Sequence, residues 1–73
     1  MNLNQQTIQT DLQKLAGDTP VKVKISKHLE VATSIRETDA GFTITLNPAK
    51  IRSPKKLESH LSWCREAIRN YNT

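Results

Sequence analysis

The sequence predicts an α+β fold of one small domain, residues 1–73, in the element order α-β-β-β-α. Three observations carry that expectation. Apolar residues recur at helical spacing near the N-terminus, alternate with polar residues from Val21 to Leu46, and return to helical spacing from Leu57 to Tyr71. A chain of 73 residues has room for one core, and with 36% hydrophobic and 25% charged residues it reads as globular.

The first helix is predicted over Leu3–Ala16, where Ile8, Leu12 and Leu15 fall on one stripe. Asn2 or Asn4 caps its start, and Gly17 with Pro20 stops it. The other face is Gln and Thr, so this helix depends on tertiary packing. In Val21–Ile25 the apolar side chains alternate with Lys22 and Lys24, as a half-buried strand requires. Leu29, Val31, Thr33 and Ile35 repeat the alternation, with Lys27-His28 as a short hairpin connection. Thr38-Asp39-Ala40-Gly41 has the composition of a turn, and Phe42, Ile44 and Leu46 form a third strand. The expected sheet is a three-stranded antiparallel meander with both helices packed on its one apolar face.

Asn47-Pro48 breaks the third strand, and Ser53-Pro54 supplies an N-cap and first-turn residue for the last helix. Leu57, Leu61, Cys64, Ile68 and Tyr71 then lie within about 80° of one another, a face that docks on the sheet. Trp63 falls about 100–120° from the centre of that stripe. The expectation is that it seals the edge of the core, the alternative being an exposed interaction anchor.

The net charge is +4, and the excess sits within residues 41–73. Cys64 is the single cysteine, so no internal disulfide forms, which favours a reducing compartment. No apolar run approaches the ~20 residues of a membrane span, and MNLNQQTIQT does not read as a signal peptide. The expected location is the cytoplasm, with no membrane partner.

Catalytic and metal chemistry find little material. His60 and Cys64 sit at i, i+4, but no CxxC or HxxxH pair supplies further ligands, so Cys64 is read as a core residue with His60 at the core's edge. Glu58 and Glu66 read as a solvated face, no motif positions a nucleophilic serine, and two glycines build no phosphate-cradling loop. The reading is a non-enzymatic domain with no cofactor and no metal. Lys50, Arg52, Lys55 and Lys56 place four cations within seven residues at a helix start. Lys55 and Lys56 occupy positions where the helix dipole disfavours cations by about 0.3–1 kcal/mol each, so stability alone does not account for them. Helix-start N–H groups with these lysines suit a phosphate.

The α-β-β-β-α order and the Lys55-Lys56 pair at the second helix start resemble the double-stranded-RNA-binding domain. That family grips phosphates with lysines at this helix start, and the resemblance implies that role for Lys55 and Lys56. It also implies an RNA contact for Lys27 and His28, which would correspond to the family's loop between the first two strands. The glycines that precede the family's lysines are replaced here by Lys50-Ile51-Arg52-Ser53-Pro54. Residues 42–68 are in part similar to the segment entering the active helix of minimal zinc metallopeptidases. Trp63, Cys64 and Ala67 then stand where that family's H-E-x-x-H has His, Glu and His, which implies the scaffold without the zinc chemistry.

Two functions are thus expected in competition. One is a nucleic-acid-binding module, for RNA or DNA, contacting phosphates through Lys50, Arg52, Lys55 and Lys56. The other is a protein-interaction or assembly module using Trp63, Tyr71 and a sheet edge.

Overall fold

The structure, a computed structural model, describes residues 3–71. Helix α1 (Gln5–Ala16) starts where the Asn4 side chain accepts a hydrogen bond from the Thr7 N–H at 3.0 Å. It ends at Gly17, whose φ of 64° closes the last turn through a bond from its N–H to the Gln13 carbonyl. Strands β1 (Val21–Ile25), β2 (Thr33–Thr38) and β3 (Gly41–Leu46) precede helix α2 (Pro54–Tyr71). At the start of α2 the Ser53 hydroxyl accepts from the Lys56 N–H at 3.2 Å.

The α+β class and the element order are as expected, but the sheet is mixed rather than an antiparallel meander. Its order is β1-β3-β2, with β1 parallel and β2 antiparallel to β3. Two physical causes are visible. A two-residue hairpin at Lys27-His28 needs residues with positive φ, and among the described residues only Gly17 and Gly41 have it. The chain instead crosses the C-terminal end of β3 along residues 26–32, so β2 begins at Thr33 rather than Leu29, and Val31 is 52% exposed. Second, β3 is the most apolar strand. Phe42, Ile44 and Leu46 are all buried at the centre, while the lysine-bearing β1 and the polar β2 take the edges.

The core lies between the sheet and the two helices. Ile8, Leu12 and Ala16 of α1 and Cys64 and Ile68 of α2 meet Val21, Val23, Phe42, Ile44 and Leu46, with Leu57 and Leu61 packed at the margin. Ile51, in the connection between β3 and α2, is fully buried as well, a core contribution that strand or helix periodicity does not flag. Phe42 and Tyr71 stack edge to face with ring centroids 4.8 Å apart, fixing the end of α2 over the start of β3.

The polar face of α1 has a specific task. Gln5, Gln9 and Gln13, spaced one turn apart, reach the outer edge of β1. The Gln9 amide oxygen accepts from the Val23 N–H at 2.8 Å while its NH2 donates to the Val21 carbonyl. Gln13 accepts from the Val21 N–H at 2.9 Å and donates to the Thr19 carbonyl at 2.9 Å; Gln5 donates to the Val23 carbonyl at 2.6 Å. Side-chain amides thereby occupy the edge groups that another strand would otherwise use. Replacing Gln9 with Leu, which keeps helix propensity but removes both bonds, is expected to cost about 1–2 kcal/mol. It also opens the β1 edge. Urea unfolding and light scattering check the two effects, and an unchanged midpoint would show that water satisfies this edge equally well.

Candidate nucleic-acid interface

The basic residues come together at one end of the sheet through a single buried side chain. Asn47, 1% exposed, follows β3 directly. Its backbone N–H donates to the Ala32 carbonyl at 2.9 Å. Its side-chain NH2 donates to the carbonyls of Leu29 at 2.7 Å and Lys27 at 3.4 Å, and its Oδ1 accepts from the Ala49 N–H at 2.9 Å. The backbone N–H groups of Lys50 and Ile51 close onto the Asn47 carbonyl, both at 3.1 Å. The crossing loop 26–32 and the connection 47–53 are thus held to one another.

Consequently Lys27 and His28 from the first segment share a pole of the molecule with Lys50, Arg52, Lys55 and Lys56 from the second, and all six are exposed. Of the four cations expected at the site, Arg52, Lys55 and Lys56 project from the approach to α2 and its first turn, which contains no acidic residue. Lys50 is differently placed: its ammonium donates to the Glu30 carbonyl, tying the two segments together. A carbonyl does not neutralise it, so its charge still adds to the local field. Lys27, Lys50, Arg52, Lys55 and Lys56 face a single carboxylate within these segments, that of Glu30, which gives this pole a net charge of +4. The remaining six cations and six carboxylates cancel.

Elsewhere the charges are more evenly matched. Glu58 accepts from Arg65 at 2.6 Å; this bond and the guanidinium charge hold its carboxyl below the usual range. Lys22, Thr43 and Arg36 form one row across the open face of the sheet, and Lys24, Thr45 and Ser34 the next, as the ladder register requires. Cys64 is fully buried, and desolvation pushes its thiol up to about 11, so it sits in the core as a neutral side chain. His60, one turn before it, is half-buried. Among the described residues no group of three or more His, Cys, Asp or Glu comes together to hold a metal. A shallow depression of about 210 Å³ lies at the opposite end, between Pro20, Lys22, Thr38 and Phe42.

Trp63 is 53% exposed, which corrects the expectation that it seals the core's edge. Burial along α2 is centred on Cys64 and Ile68, and Leu57 and Leu61 already close the margin. Tyr71 is partly exposed, with its ring set against Phe42. What sequence reasoning missed is Asn47, read there only as part of a strand-breaking pair, and the glutamine ladder. The four-residue spacing of Gln5, Gln9 and Gln13 beside a predicted strand was the available signal for the ladder. No family model, no curated protein and no solved structure matches the chain.

Proposed function

We propose that this protein is a non-enzymatic module that binds the phosphate backbone of a nucleic acid at the pole formed by residues 26–32 and 47–56. The observation that carries this reading is the concentration of the net charge: +4 at one end, in two segments that Asn47 holds together, and zero over the rest. Arg52, Lys55, Lys56 and Lys27 are the contacts, with Lys50 strengthening the field. At the opening of α2, Pro54 has no N–H and the Lys56 and Leu57 N–H groups bond Ser53, so the Lys55 N–H is the backbone donor that adds to the lysines. Placing lysines in the first turn of α2 costs helix stability, a cost that binding a polyanion offsets.

Titration against duplex RNA, duplex DNA and single strands at several salt concentrations tests the proposal. Four neutralised phosphates give a slope of log affinity against log salt of about −3.6 for a B-form DNA duplex and about −2.8 for a single strand. The double change Lys55→Gln, Lys56→Gln lowers the duplex slope by about 1.8 and weakens all sequences alike. Absence of salt-dependent binding to any of these polymers at micromolar protein would rule the proposal out.

A second reading, a protein-interaction or assembly module, is favoured by the exposure of Trp63 and by the one sheet edge left open. Binding carried by Trp63 is insensitive to salt, which separates it from binding carried by the lysines.

A further inference from the structure

Of the two sheet edges, α1 seals β1 with glutamine side chains, whereas no described side chain bonds the outer edge of β2, where Thr33 is buried, Ile35 is half-buried and Glu37 is exposed. The bond from the Asn47 N–H to the Ala32 carbonyl fixes which groups of β2 face β3. By antiparallel alternation, Ser34 and Arg36 are bonded to Thr45 and Thr43, and the backbone groups of Thr33, Ile35 and Glu37 point outward. Among the described residues nothing accepts or donates to them.

We infer that β2 pairs with β2 of a second copy about a two-fold axis at Ile35, joining two three-stranded sheets into one of six strands. This rests on the assembly reading above and specifies its edge and its partner. Antiparallel pairing about Ile35 sets Ile35 against the partner's Ile35, Thr33 against the partner's Glu37, and Ser34 against the partner's Arg36. No like charges stand opposite one another; the Ile35 pair exchanges two backbone hydrogen bonds, and the two Thr33–Glu37 pairs add four once Thr33, buried in the single chain, is uncovered. An axis at Arg36 would instead oppose two arginines.

Charge at the two ends of β2 favours the same arrangement. The strand begins beside the basic pole and ends at Glu37 and Asp39, both exposed. The two-fold axis lays the acidic end of each copy alongside the basic pole of the other. Val31, two residues before the strand, and Trp63 on α2 are large apolar groups left exposed. Two short strands make a small contact, so the dimer belongs to the weak, reversible class.

Sedimentation velocity from micromolar to millimolar protein tests the inference with charge-swapped variants. The unaltered chain is expected to show a monomer–dimer equilibrium. Ile35→Lys and Ile35→Glu each weaken it at least about tenfold, because like charges then meet at the axis, and an equimolar mixture of the two restores it. Glu37→Pro, which removes an outward N–H without touching the β2–β3 ladder, also gives a monomer and guards against misfolding of the Ile35 variants. A chain that stays monomeric throughout this range overturns the inference. Self-association that survives every change at Ile35 and Glu37 but is lost in Trp63→Ala also overturns it, while leaving the broader assembly reading standing.

Discussion

Replacing Asn47 with alanine is expected to lower stability by about 2–4 kcal/mol, out of a total near 3–5 kcal/mol for a domain of this size. Three hydrogen bonds end at this buried side chain: to the carbonyls of Leu29 and Lys27 and from the N–H of Ala49. Truncation leaves those groups without their partner, and each one that stays shielded from water costs about 1–3 kcal/mol. For a chain of this length that corresponds to a fall in Tm of roughly 10–25 °C. Asn47→Asp separates bonding from size. Its carboxylate can still accept from Ala49 but faces two carbonyl oxygens, so its folded-state pKa rises. The stability of that variant is therefore highest below pH ~4 and falls as pH increases through the folded pKa. Thermal unfolding of both variants, followed by circular dichroism across pH, checks this. A Tm for Asn47→Ala within a few degrees of the unaltered chain would show that the crossing loop is held by other means. Because Asn47 also aligns the two basic segments, nucleic-acid affinity is expected to fall under conditions where the variant remains folded.

The second large effect belongs to Gly41. Its φ is 140°, and a Cβ built there would lie 2.1 Å from the Pro20 carbonyl oxygen and 3.0 Å from its carbon. That oxygen accepts the Phe42 N–H at 2.9 Å, the bond that leads into the pairing of Val21 with Phe42. Backbone cannot swing aside as a flexible side chain does, so Gly41→Ala must separate β1 from the start of β3. The expected cost is about 3 kcal/mol or more. Gly17 provides the comparison, since it also has positive φ, 64°, yet a Cβ there meets nothing within 4 Å. Gly17→Ala carries only the conformational penalty of placing a side chain at φ 64°, ψ −118°, about 1–3 kcal/mol. Denaturant unfolding of the pair decides the matter: equal losses would mean that the close approach of Pro20 to Gly41 is easily relieved.

Both effects arise at places where the sequence was read only in part. The Thr38-Asp39-Ala40-Gly41 turn and its glycine were legible, because turn chemistry is local. That the same glycine also makes room for Pro20 depends on a strand paired from the other side, about twenty residues earlier. For the candidate interface, Arg52, Lys55 and Lys56 were legible as exposed cations at a helix start. Lys27 and His28 entered only by resemblance, and it is Asn47 that brings their loop to the same pole.

What the sequence by itself determined is whatever depends on neighbours a few residues away. The capped helix starts at Asn4 and Ser53, the β1 and β3 strands, the stop at Gly17 and the shift between helical and alternating spacing all belong here. Only the tertiary structure decided that β3 lies between β1 and β2, that glutamines of α1 close one edge while the other stays open, and that Trp63 faces solvent. The physical reason is that an alternating pattern names the buried face of a strand but not its neighbours. Strand order is settled by which strand has the most apolar surface to bury on both flanks, and by whether the connecting residues can adopt a tight turn.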